Sequence, residues 1–488
     1  MRSNKRKIGW LAFLLLLIPA PSSALHYGFN DNGLFPQPYV YKDKVIADTQ
    51  PRFTINQSGA LPDWLSLAVQ HRTRYETLNH QFRSGTTGSD QALSLRTLAQ
   101  ATVRLHPNFK IQLELQDSRA ELADSGTAIS TGLVNAAELL EANLQWLAKG
   151  LFQEDSRSLL RGGRLTMDFG KRRLVSRNRF RNVLNAFTGV DWIWKAQSGD
   201  TIRTFFTLPV NRQPATQAEL LDNDASFDEE TLDRIFWGVS VATPNFPWGG
   251  QAEFYLFGLH ENDGPDFLTR NRKLYTPGFR FYLPASKGQI DYEWETIFQF
   301  GTSRATIAAT DTRDLDHFGH FHHIEVGYTF NTPWSPRLIL AYDYASGDGD
   351  PNDGAQGRFD PLFGATVFDF SPTGIHRPFV RSNITGPGVI FSIHPHRLIS
   401  TYIHYRAFWL ASDTDVWAGN SGLQDPSGGS GSFLGQQWFV RAKWQVLANL
   451  QLEGGVAYRI DGDFQKTAPN TPGEGNTLYS YIQTTFSF

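Results

Sequence analysis

The chain has 488 residues, a net charge of −3 and no cysteine, which removes a disulfide framework, thiolate-held zinc and charge-driven nucleic-acid binding. Aromatic residues make up 14%, with 37 Phe, 16 Tyr and 13 Trp beside 43 Gly. Mean hydropathy is negative, too polar for a helical membrane protein with its runs of about 20 apolar residues, but suited to a sheet with one face to lipid and one to water.

The first residues carry Arg2, Lys5, Arg6 and Lys7, followed by an apolar run from Ile8 to Ile18 and small residues Ser22 and Ala24 at cleavage spacing. This pattern predicts a secretory signal peptide over 1–24. Residues 25–63 have several prolines and no clean period, and are expected to form a periplasmic arm. From residue 64 the chain alternates. Leu93, Leu95, Ala99, Ala101 and Val103 oppose Arg96, Gln100 and Arg104; Phe109, Ile111, Leu113 and Leu115 oppose Lys110, Gln112, Glu114 and Gln116. A period of two is the period of a strand.

The alternation predicts strands over 65–78, 93–105, 109–116, 137–147, 159–170, 187–198, 201–209, 233–242 and 251–260. It continues over 274–283, 288–301, 316–330, 335–346, 385–394, 398–411, 433–446, 449–461 and 477–488. This makes about eighteen strands, an even number as single-chain bacterial barrels have. Connections alternate too. Tight ones at 106–108, 198–200, 284–287, 395–397 and 447–449 are separated by long ones at 117–135, 171–186, 210–232, 347–384 and 412–432. Short periplasmic turns and long external loops are the habit of outer-membrane barrels, and a soluble sandwich gives no reason for them. In the last strand Leu478, Ile482, Phe486 and Phe488 share one face and Tyr479, Tyr481, Gln483, Thr485 and Ser487 the other. Trp192 with Trp194, Tyr292 with Trp294, Phe298 and Phe300, and Trp438 with Trp444 share faces as a lipid-side aromatic girdle would. The expected architecture is all-β: a transmembrane antiparallel barrel over 64–488, in the outer membrane of a Gram-negative bacterium.

Several stretches resemble the alginate export family: GRLTMDFGKRRL (163–174), NAFTGVDW (185–192), YTPGFRF (275–281), YEWETIFQFG (292–301), YASGDGDPNDG with RFDPLFG (344–364) and YRAFWLA (405–411). The resemblance runs from about Leu65 to Phe488. It implies an eighteen-stranded passive conduit for an anionic, alginate-like polysaccharide, its lumen narrowed by inward-folded loops and lined with arginines. Where the family's exporter is expected to have pore arginines, in 139–146 and 451–454, this chain has Glu141, Gln451 and Glu453. Fold therefore carries over more safely than substrate.

On the polar strand faces stand Arg72, Arg74, Arg96, Arg164, Arg203, Arg280, Arg406 and Arg441, with Glu76, Glu114, Glu141, Asp168, Asp191, Glu253, Glu293, Glu295, Glu325 and Glu453 facing the same way. These charges either set selectivity in a water-filled pore or pair across neighbouring strands and stiffen the wall. One run has no acid: Lys171, Arg172, Arg173, Arg177, Arg179 and Arg181. Arginine forks match carboxylates at any pH. The run is expected beside the pore, handing an anion along; the alternative is an outer loop gripping lipopolysaccharide phosphates. Asp348, Asp350 and Asn352 alternate in SGDGDPNDG as in a calcium loop, but the glycine falls late and no distal Glu follows. His320 and His322 would share a strand face with no third ligand evident. No catalytic constellation appears, so neither enzyme activity nor a cofactor is expected.

The leading expectation is an export porin for an anionic polysaccharide, with lipid and lipopolysaccharide around it and a periplasmic export scaffold as a further partner. Alternatives are an uptake porin for sugars or organic acids, or a barrel-borne enzyme.

Overall fold

The computed structural model describes residues 61–488 apart from Asp124, Ser125, Pro265, Asp266, Asn420 and Glu474. The expected signal peptide and nearly all of the expected arm lie outside the described residues.

Alternating side chains build one sheet of nineteen strands. Its first half is β1 (Leu65–Asn79), β2 (Asp90–His106), β3 (Phe109–Glu121), β4 (Asn135–Lys149), β5 (Arg157–Leu165), β6 (Phe187–Lys195), β7 (Thr201–Pro209), β8 (Arg234–Thr243) and β9 (Gln251–Glu261). It continues through β10 (Lys273–Leu283), β11 (Ile290–Ser303), β12 (Leu315–Thr329), β13 (Arg337–Ala345), β14 (Ala355–Gln356), β15 (Ile384–His396), β16 (Ile399–Trp409), β17 (Phe433–Leu447), β18 (Leu450–Asp461) and β19 (Thr477–Ser487). The two-residue β14 pairs parallel to β12 from within a loop. The other eighteen each run antiparallel to their chain neighbours, and β19 pairs with β1 from Gln70↔Ser487 to Asn79↔Leu478. Closure leaves no open edge, the condition for a sheet in hydrocarbon, where an unpaired backbone group costs several kcal/mol.

Every expected strand is present, most with shifted ends. The strand expected over 159–170 stops at Leu165. There the Glu141 carboxylate accepts from the Thr166 amide at 3.1 Å, and Arg203 donates to the Asp168 carbonyl at 2.7 Å, drawing the chain off the wall and inward. The strand expected over 187–198 ends at Lys195, where Ala196 turns back onto the Asp200 carbonyl at 2.8 Å. On one rim the connections are as short as 107–108, 397–398 and 448–449, and none exceeds 150–156; on the other stand 166–186, 210–233, 346–383 and 410–432.

The two faces separate as the period requires. Leu478 and Ile482 point outward, 42% and 63% exposed, while Tyr479 and Tyr481 are buried inside. Trp294, Phe298, Phe300, Trp438 and Trp444 are exposed on the outer face, where lipid replaces water. Inside, arginines and carboxylates of the wall meet aromatic side chains carried in by loops: Phe169, Phe180, Phe359, Phe368, Phe370, Phe379 and Trp417.

Candidate functional site

Three loops of the long-loop rim, 166–186, 346–383 and 410–432, fold into the barrel. Phe180 packs edge-on against Tyr481 of β19, with the Arg74 guanidinium 3.9 Å above its ring. Phe379 stacks on Phe408 of β16, and the Trp417 indole donates to the Pro378 carbonyl at 2.8 Å. His376 stacks on Tyr479 with centroids 4.9 Å apart and shares a 3.1 Å hydrogen bond with Gln437. Two glycines let backbone approach where a side chain would not fit: a Cβ on Gly364 would collide with the Arg173 carbonyl, and one on Gly374 with the Glu76 carboxylate.

Four of the six basic residues in 171–181 are paired with carboxylates of the wall and of the loops, against the expectation of an unopposed cluster. Lys171 pairs with Glu293 at 3.0 Å. Arg173 meets Glu293 at 2.6 Å, Asp369 at 2.9 Å and Glu295. Arg177 meets Glu114 at 2.7 Å and Glu141 at 3.0 Å, and Arg179 meets Asp168 at 2.6 Å. The partners of Arg173 lie 120 to 196 residues along the chain, so the pairing is invisible in any local window.

The wall arginines are similarly engaged. Arg164 pairs with Glu138 and with Glu230, Arg203 with Asp191, Arg280 with Glu253, Arg406 with Asp343 and Arg441 with Glu453. Arg72 donates to the carbonyls of Arg179, Phe180 and Arg181, and Arg96 to those of Arg179 and Arg181. These two, with Arg74 on the Phe180 carbonyl at 2.8 Å, hold the inward loop to β1 and β2. In this arrangement all three are buried against the inward loop and do not face open space.

Among the described residues Arg172, Arg181, Arg212 and Arg377 form no ion pair. Arg172 lies 5.7 Å over the Phe368 ring in a left-handed backbone conformation. The other three lie close enough to repel one another. Burial, then Arg377 and Arg212, pull the Arg181 guanidinium well below its ordinary pKa. Burial and Arg212 pull Arg377 down to about 10. Burial also lowers Arg212, opposed by Asp228, while its guanidinium donates to the Leu184 carbonyl at 3.3 Å and to Asn185. All three are half-buried. A cationic cluster with no ion pair of its own and only Asp228 acting on it, at Arg212, is partly desolvated and half-buried, and is suited to meeting an anion. Sequence reasoning found Arg181 but missed Arg212 and Arg377, single basic residues in long loops without periodicity.

In the calcium-like stretch the carboxylates take part in the turn. The Asp350 carboxylate accepts from the Asn352 amide at 2.9 Å, Asp348 accepts from the Gly357 amide at 3.2 Å, and both side chains serve the turn itself. No group of three His, Asp or Glu suited to a metal lies together among the described residues. His320 and His322 do share a face, 3.0 Å apart, beside Tyr344.

No curated protein sequence matches the chain. Solved structures with the same fold include OccAB2 of Acinetobacter baumannii, with a TM-score of 0.56 at 12% identity over 87% of this chain and 98% of that one. OccAB1 of the same organism gives 0.55 at 12% over 87% and 97%, and OccK8 (OprE) of Pseudomonas aeruginosa 0.54 at 9% over 87% and 98%. At such identities the likeness establishes the outer-membrane barrel fold alone. The alginate export family profile covers residues 63–475. With a closed barrel, alternating rims and that match across most of its length, the chain belongs to the alginate export family of outer-membrane channels.

Proposed function

We propose that the protein is a passive channel for small anionic solutes, with Arg181, Arg212 and Arg377 as its selective contact. The observation that carries this reading is that Arg181 and Arg377, with Arg212 beside them, pair with no carboxylate, whereas most of the arginines singled out on the wall and in loop 166–186 are held by a carboxylate or a backbone carbonyl. Guanidinium groups without a carboxylate partner attract anions through the local field, and moderate affinity lets them leave. No covalent step and no cofactor are required.

The finer reading from family membership, export of an alginate-like polysaccharide through an arginine-lined pore, is the second one. It needs the loops 166–186 and 346–383 to leave the lumen, because a sugar chain needs a continuous bore. The experiment is conductance of the purified protein in planar bilayers under a salt gradient. The wild type is expected to show an anion-selective reversal potential that moves toward zero in Arg181→Ala and Arg212→Ala. A cation-selective wild type, or unchanged potentials in both variants, would overturn the reading. Passage of fluorescent uronate oligomers across proteoliposomes in the absence of loop changes would favour the polymer instead.

A further inference from the structure

Arg377 of the cluster also lines a partly open cavity of about 330 Å³, together with Arg270 and residues of the loops that carry Arg358 and Trp417. Arg270, Arg358 and Arg377 line it, against Asp360 alone. That carboxylate is already taken by Arg272 at 2.7 Å. Arg358 is held by Asp415, its Nε donating at 2.8 Å. Arg270 and Arg377 form no ion pair among the described residues. Arg270 Nε donates only to the Arg304 carbonyl, at 3.1 Å, and the buried Arg377 Nε has no hydrogen-bond partner. The cavity thus holds a surplus of guanidinium donors. Its remaining lining is mostly apolar or small, with Pro361, Val416 and Ala418 partly exposed and Gly419 and Gly422 bringing no side chain.

We propose that this cavity is a binding site for a small organic carboxylate with an apolar body, loaded from the long-loop side of the barrel. The proposal rests on the anion-channel reading above and adds a ligand class, a place and a direction of entry. The charge calls for a carboxylate, which the guanidinium fork matches in plane. The apolar wall calls for a ring or short aliphatic body, which a bare inorganic anion lacks. The volume lies at the low end of ligand pockets, about 300 to 1,000 Å³, so it fits one monomer-sized acid and not a polymer segment. All three contributing loops spring from the long-loop rim, which makes that side the expected side of entry. Arg377 belongs to both the cavity and the inner cluster, and it gives a bound carboxylate a next cation without a gap.

The test is titration of benzoate into the full-length protein in detergent, followed by calorimetry, with inorganic phosphate as the second probe. Saturable benzoate binding, at least tenfold tighter than phosphate and weakened at least tenfold in both Arg377→Ala and Arg270→Ala, is the expected result. In bilayers, benzoate on the long-loop side should interrupt the chloride current at lower concentration than benzoate on the turn side. No benzoate binding to the wild type, or phosphate binding equal to it, overturns the proposal. So does binding that both variants leave unchanged. An anion-selective wild type that ignores benzoate would sink the site while sparing the channel reading; a cation-selective wild type would sink the channel reading itself.

Discussion

Arg173 joins two loops to the wall. Its guanidinium is 2% exposed and is shared by Glu293, Glu295 and Asp369, while Arg381 also donates to Asp369 at 3.1 Å. Removing one partner of such a buried group leaves uncompensated charge, at a cost of about 3–5 kcal/mol. Arg173→Ala should therefore lower the thermal unfolding midpoint and speed proteolysis of loops 166–186 and 346–383, while Arg181→Ala alters ion selectivity with little change in stability. Equal melting of the two variants would contradict this division between clamp and contact. His376 offers a pH handle in the same loop. Burial pushes its imidazole down from the ordinary 6.5 to about 3, with Arg459 and Arg83 opposing its charge. Because the seated loop holds the neutral ring, the stabilisation is complete above about 6.5 and is lost as pH falls toward about 3. Acid should loosen loop 346–383, read as faster protease cleavage or larger conductance; His376→Asn should flatten that dependence between those limits.

At the scale of elements, the strands and the inward loops obey different rules. Each strand is specified by its own alternation and needs only its two neighbours. A loop such as 346–383 has no period, and its seat is set by contacts at distant places: Phe379 on Phe408, His376 on Tyr479, and Gly364 against the Arg173 carbonyl. Gly364→Val puts a branched side chain where backbone already stands. It should part loops 346–383 and 166–186 and raise single-channel conductance with the sheet spectrum unchanged. Conductance equal to that of the wild type would show that these loops do not set the bore. The early end of β5 belongs here too. Residues 166–170 alternate well enough to read as strand, but Glu141 and Arg203 offer the backbone better partners off the wall.

For the whole molecule, closure of β19 on β1 makes the wall a self-contained ring, and the interior is free to be charged because most of its carboxylates have an arginine, lysine or histidine partner. The net charge of −3 says nothing about selectivity; what counts is which charges remain after pairing. By that measure the interior is locally basic at Arg181, Arg212 and Arg377 and compensated at most of the other arginines singled out. The anion selectivity expected of the channel is thus a property of a remainder, and small changes in pairing would move it.

The sequence alone determined the barrel: its strand number, the face each strand residue shows to lipid, and the two unlike rims. These follow from a period of two and from connection length, both written in short windows. It also placed arginines and carboxylates on the inward face. Only the tertiary structure decided which of them cancel, because Arg173 and Arg177 on an aperiodic loop find acids on strands far away in the chain. The same folding of loops into the lumen brought Arg212 and Arg377 to Arg181. Charges that are far apart in sequence become neighbours only when the ring has closed and its loops have somewhere to go.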